Sequence, residues 1–263
     1  MLDYHVHSAF SLDADSSMDE YCQAALRHGL LGLAFTDHVD VNYPDPEFQF
    51  IIDLDKYSAA IERMRRKYPH LTIARGIELG YRADAVEENT RIIAQLKPDF
   101  VINSVHSVGE IDPYRLEFFD GKTRKQAYDE YMRYLVASLD APYPYSVIGH
   151  IGYVAKRSPY PSPAMHVSDY REQLESLLYR LVYSGKGIEL NTSSLRHTGE
   201  SMPARSILKL YKKLGGEIIT FGSDAHNVRD LMRDWAWARD VLADTGFTHI
   251  CSYKNMVPIF HRL

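Results

Sequence analysis

The sequence predicts a closed β/α barrel forming one domain across residues 1–263. Three observations carry that expectation. Short apolar runs alternate with longer amphipathic stretches along the whole chain, the pattern of a parallel sheet with helices outside it. The alternation repeats seven times, which in a chain of this size favours a closed barrel over an open sheet. No Gly/Ser linker, low-complexity segment or internal repeat breaks it, and single barrels commonly run to about 250 residues.

The strands are expected at 2–4, 31–35, 72–77, 100–103, 146–148, 187–190 and 217–221, where brevity and flanking glycines favour strand over helix. Ser17 with Glu20, and Thr123 with Gln126, have the spacing of capping boxes, in which each side chain satisfies an orphan backbone N–H. Asp84 and Glu87 repeat that spacing. In 170–183, Leu174, Leu177, Leu178 and Leu181 recur at helical intervals and form a core face. Pro203 suits the first turn of a helix, where its missing N–H costs nothing. Gly29, Pro98 and the Gly215-Gly216 pair mark helix stops. A helix near 231–242 and a last strand at 249–252 complete the chain. Two connections, 39–53 and 107–122, exceed ordinary loop length and are expected to be active-site loops.

The composition, 45% hydrophobic and 25% charged, supports a full core. A net charge of −5 argues against a general nucleic-acid binder. It does not exclude a small anionic substrate, because metal ions can supply a local positive field. Cys22 and Cys251 lie far apart, suggest no disulfide framework and are expected to be buried thiols. Asp3, His5 and His7 interrupt any signal peptide, and no apolar run approaches a membrane span. A reducing cytoplasm is the expected location.

The chemistry is read from position. The first strand runs into His5-x-His7, the second into Asp37-His38, and the third ends at Glu78. His106 follows the fourth, His150 the fifth and Asp224-x-His226 the seventh. In a β/α barrel these positions converge on the C-terminal face, where such enzymes place their active sites. Each residue alone has a bland reading as a satisfied core histidine or a charged cap. Together they gather half of the twelve histidines with Glu78 and Asp224, a set costly to bury without a cation. Imidazoles with carboxylates suit Zn, Fe or Mn, and metals bound this way assist hydrolysis. His28, beside Gly29, reads as a helix-end cation. His70, His249 and His261 follow no matching strand, while His166 and His197 read as loop residues. His197 stays a distant substrate candidate because it neighbours Arg196.

The order of motifs resembles the polymerase and histidinol phosphatase superfamily, and within it the monofunctional histidinol-phosphate phosphatases. The matching residues are His5-Val6-His7-Ser8, Thr36-Asp37-His38, Gly76-Ile77-Glu78, Ser104-Val105-His106-Ser107, Ile148-Gly149-His150, Glu189-Leu190-Asn191-Thr192 and Gly222-Ser223-Asp224-Ala225-His226. The resemblance implies a distorted (β/α)7 TIM-like barrel and three divalent metals. His5, His7, Glu78 and Asp224 would hold the first, and Glu78 would bridge to a second completed by His106 and His150. The third would take Asp13, His38 and His226, with Asp15 the competitor for Asp13. Glu78, Asp224 and His226 are the expected catalytic residues, serving a metal-bridging hydroxide nucleophile. Lys156, Arg157 and Arg196 are the expected contacts to substrate phosphate.

The resemblance therefore implies hydrolysis of a small phosphorylated metabolite, L-histidinol phosphate first, with neither nucleic acid nor membrane as partner. The acidic and aromatic loop 45–50 is a candidate anchor for the rest of the substrate. The rival readings are a relative acting on another phosphate ester or a nucleotide, an amidohydrolase, and a non-catalytic metal-binding module.

Overall fold

The computed structural model describes residues 1–263. Seven strands form the wall: β1 (Leu2–Val6), β2 (Gly32–Phe35), β4 (Thr72–Gly80), β5 (Phe100–Ser104), β6 (Val147–Ile148), β7 (Gly187–Asn191) and β8 (Ile219–Gly222). All pair in parallel, in chain order. A two-residue strand, β3 (His38–Val39), adds to β4 off that path. The ring closes loosely between β1 and β8, through His7 N–H to Ala225 O at 2.9 Å and Asp224 N–H to His5 O at 3.0 Å. The fold is thus a distorted, nearly closed barrel of seven strands in a single domain, with all seven expected strands in place.

Helices α1 (Met18–Arg27), α2 (Leu54–Lys67), α3 (Val86–Leu96), α4 (Arg124–Ser138), α5 (Val167–Tyr183), α6 (Leu195–Thr198), α7 (Arg205–Lys213) and α8 (Trp235–Asp244) make the connections. The capping boxes at Ser17/Glu20 and Thr123/Gln126 are formed, and the four leucines of α5 are buried. Two expected helix starts differ. Asp84 does not cap α3, because Arg82 takes its carboxylate at 3.0 Å and Ala85 occupies the N-cap. Pro203 lies before α7, whose N-cap is Ala204. Backbone bonds in both directions between Met202 and Asn191, each 2.9 Å, keep the segment before Pro203 extended.

The last expected strand proves to be half of a hairpin, β9 (His249–Lys254) and β10 (Val257–Arg262). It packs at the N-terminal end of the barrel. Asn255 N–H donates to Asp99 Oδ1 at 3.0 Å, and Asp99 directly precedes β5. The Phe100 ring packs 5.2 Å from Tyr4 and 4.9 Å from Tyr253. Tyr253 N–H donates to Tyr4 Oη at 3.1 Å, so this aromatic cluster buries its polar atoms with partners. Cys22 and Cys251 are free and buried. No helix is long and apolar enough to cross a membrane.

Candidate metal centre

The C-terminal strand ends present a different surface. His5 sits inside β1 and His7 directly follows it, His38 opens β3, and Glu78 sits inside β4. His106, His150 and Asp224 each follow a strand by two residues, after β5, β6 and β8. His150 and Asp224 have left-handed backbone, φ 22° and 55°. That conformation is strained for residues with a Cβ and recurs at functional sites. At Gly222, a Cβ would collide with Glu189 and His5, so glycine lets β8 approach β1 and β7.

Glu78 is the hub, fully buried. Its Oε2 lies 3.2 Å from His5 Nε2, 3.6 Å from His7 Nε2 and 3.0 Å from His38 Nδ1. Its Oε1 lies 3.1 Å from His106 Nε2 and 2.8 Å from His150 Nε2, and accepts from Ser104 Oγ at 2.7 Å. Asp224 Oδ1 faces His7 Nε2 at 3.3 Å and His5 Nε2 at 3.8 Å. Asp13 Oδ2 faces His226 Nε2 at 3.2 Å and His38 Nε2 at 3.8 Å. Asp15 instead accepts from Ser16, so of the two loop carboxylates Asp13 meets the cluster. All nine residues expected as ligands come together here.

Proximity does not satisfy them. His5 Nε2, His7 Nε2, His38 Nδ1 and Glu78 Oε2 are buried without a hydrogen-bond partner. Burial opposes charge on Glu78, yet His5, His106 and His38 overcome it and hold its pKa well below the usual carboxylate range. His5 is driven the other way from His7. Burial disfavours both imidazolium forms, but Glu189 and Glu78 raise His5 well above the ordinary value, while burial and the neighbouring His38 and His226 depress His7. Ring nitrogens buried without partners around carboxylates fit divalent cations, so the residues suit a metal centre. Four groups have donor atoms close enough to share an ion: His5/His7/Asp224, His7/His38/His226, Glu78/His106/His150 and His38/Asp40/His106.

Sequence reasoning missed the residues that orient these rings. Glu189, on β7, takes His5 Nδ1 at 2.5 Å and His150 N–H at 2.8 Å. Asp40 takes His106 Nδ1 at 2.8 Å; burial opposes its charge, but His106 and His38 hold its pKa down to about 2. Such carboxylates leave the far ring nitrogen as the metal-facing lone pair. Asp37, next to His38 in the sequence, is turned away from the cluster. It accepts from the backbone N–H and hydroxyl of both Ser8 and Ser11, fixing the turn after His7. The signal that could have found Glu189 is a carboxylate in the middle of a fully buried strand.

The cluster forms one end of a cavity of about 570 Å³. The two long loops wall the rest, as expected: Tyr43, Phe48 and Phe50 from one, Asp112, Tyr114 and Arg115 from the other, with Tyr153 and Lys156 after β6. Lys156 Nζ lies 2.8 Å from Asp224 Oδ2. Arg157 is outside the lining, its guanidinium 4.9 Å from the Tyr114 ring centroid. Arg196 is also outside it, exposed on the single turn of α6. The expected phosphate contacts are therefore divided: the fold brings Lys156 to the cavity and leaves both arginines beyond its wall. His197 belongs to the same turn rather than a loop, 3.2 Å from Ser158 O.

Known proteins resemble this chain. The PHP domain matches residues 3–193. A histidinol-phosphatase of Lactococcus lactis subsp. lactis is 32% identical, covering 97% of this chain and 95% of its own. A probable histidinol-phosphatase of Clostridium acetobutylicum is 27% identical over 86% of each chain. The crystal structure of the Lactococcus lactis histidinol phosphate phosphatase, complexed with Zn, L-histidinol and phosphate, superposes with a TM-score of 0.88. It is 30% identical and covers 98% of both chains.

Proposed function

This chain belongs to the PHP domain family, and from that premise we infer that it is a metal-dependent histidinol-phosphate phosphatase, releasing L-histidinol and inorganic phosphate. One observation carries the chemistry: buried ring nitrogens and a buried carboxylate oxygen converge without partners at the closed end of a substrate-sized cavity.

We propose three divalent ions, Zn, Fe or Mn, held by the nine residues in the grouping His5/His7/Glu78/Asp224, Glu78/His106/His150 and Asp13/His38/His226. Bound there, such ions lower the pKa of water and stabilise charge on phosphoryl oxygens. The chain's own work is placement. Glu189 and Asp40 fix the tautomers of His5 and His106, and Ser104 holds Glu78. Glu78, Asp224 and His226 are the residues proposed as indispensable to turnover. Lys156, paired to Asp224, offers its ammonium to a phosphate oxygen; Arg157 and Arg196, outside the lining, are proposed to attract the anionic ester on its way in rather than to hold the bound phosphate. The functional unit is taken as 1–263, because Asp224 and His226 lie beyond the residues that the PHP domain matches. A cytoplasmic location is proposed, in keeping with two free thiols.

The test is phosphate release from L-histidinol phosphate, with metal content measured on the same sample. Exhaustive chelation is expected to abolish turnover, and Mn, Fe, Zn or Co to restore it. Full activity in verified metal-free protein overturns the metal reading, and a metal-loaded protein inert on this ester overturns the substrate.

A further inference from the structure

The cavity has a second pole, and its charges are unequal. Among the lining carboxylates, Asp13, Asp40, Glu78 and Asp224 each lie within 4 Å of a histidine or Lys156. The lining Arg115 is paired with Asp45. Asp112 alone of the lining carboxylates has no cationic side chain within that distance. It is only 7% exposed. Its oxygens are aimed by Tyr43 Oη at 2.6 Å and the Tyr114 N–H at 2.7 Å, with Tyr153 Oη at 3.4 Å. A buried carboxylate held this way is costly unless a cation meets it. Tyr153 sets the spacing: its ring lies 5.3 Å from that of His106 and 5.0 Å from that of His150. Asp112 is thus one tyrosine away from the metal ligands.

We propose that Asp112 is a specificity-determining residue that receives the ammonium group of the substrate while the phosphate lies at the metal pole. The proposal rests on the histidinol-phosphate reading and deepens it. That ester carries an anion and an ammonium a few bonds apart; metals held at one pole would meet the anion, and the Asp112 carboxylate at the other meets the ammonium. The imidazole then lies along the aromatic wall, where Phe50 packs 5.0 Å from Tyr43 and 5.3 Å from His38. Loop 45–50 contributes through its rings, since Asp45 is taken by Arg115 and Glu47 is exposed outside the lining.

The experiment compares kcat and KM for L-histidinol phosphate and for the same ester lacking the amino group, in the parent, Asp112→Asn and Tyr43→Phe, with metal content measured in each. The parent is expected to favour the amino ester. Asp112→Asn is expected to reduce that preference by roughly ten- to a hundredfold, mainly through KM, with metal content unchanged. Tyr43→Phe removes one aiming hydroxyl and is expected to reduce it by less. If the parent prefers the amino ester and Asp112→Asn keeps that preference, or loses both esters equally, the Asp112 assignment is overturned and the substrate reading stands. If the parent hydrolyses a generic phosphate ester but not L-histidinol phosphate, the substrate reading fails and takes this assignment with it.

Discussion

The two ends of the barrel are built from the same seven strands and behave as opposites. At the N-terminal end, the β9–β10 hairpin packs Tyr253 against Phe100 and Tyr4, and its polar atoms find partners. At the C-terminal end, six histidines crowd three carboxylates and leave buried atoms unmatched. The first arrangement lowers the free energy of the chain by itself; the second does so only with a cation. The difference teaches that stability and reactivity have been separated along the strand axis, so damage to one end should be readable apart from damage to the other.

The strongest way to break this comparison is Glu78→Gln. It touches five histidines at once, so metal content and turnover should both fall by more than the roughly 100-fold typical of an outer-shell partner. A variant with normal metal and rate would end the idea of a hub. Next in size is Phe100→Ala at the opposite end, expected to cost about 3–5 kcal/mol of stability in denaturant melts while leaving kcat per folded molecule near the parent value. A large fall in kcat instead would show that the ends are coupled. Smaller is Glu189→Gln, which leaves every proposed ligand in place but frees His5; a loss of roughly 10–100-fold in metal affinity or activity is expected by competition titration. An unchanged affinity would demote Glu189 to packing.

These variants also mark what the sequence disclosed. The strands were legible because each is a short apolar run, and the ligands because they follow those runs immediately. Glu189 was not, since a strand offering no ligand of its own drew attention to its loop rather than its interior. Asp40 sits two residues past His38 and has nothing to distinguish it until His106, distant in sequence, is brought within 2.8 Å. Asp37 shows the converse: adjacency to His38 says nothing about which way a side chain turns, and Ser8 and Ser11 claim it. Arg196 follows the right strand, but the single turn of α6 leaves it exposed. Order along the chain marks which end of the barrel a residue belongs to, and only packing decides whether it faces inward.

The smallest expected effect concerns pH at the quiet end. Burial pushes the Cys251 thiol up from 9.0 to about 11. A folded value above the unfolded one means that the folded chain keeps a proton the unfolded chain sheds. The thiol's contribution is therefore full below about pH 9 and declines as pH rises toward 11. A thiol reagent at pH 8 is expected to leave Cys251 unmodified in native protein and to label it after unfolding; rapid labelling of the native state would show that the hairpin opens.

The hairpin has a practical corollary for handling the molecule. Met1 leads directly into β1, and Leu263 N–H bonds to Thr248 O just before β9, so both described ends of the chain lie on the face away from the metal ligands. An affinity tag, a surface tether or a fused carrier attached at either end would leave from the base, with the mouth of the cavity pointing into solution. Immobilised catalyst made by end attachment should therefore keep substrate access, whereas coupling through surface lysines in random orientation would block a share of the mouths.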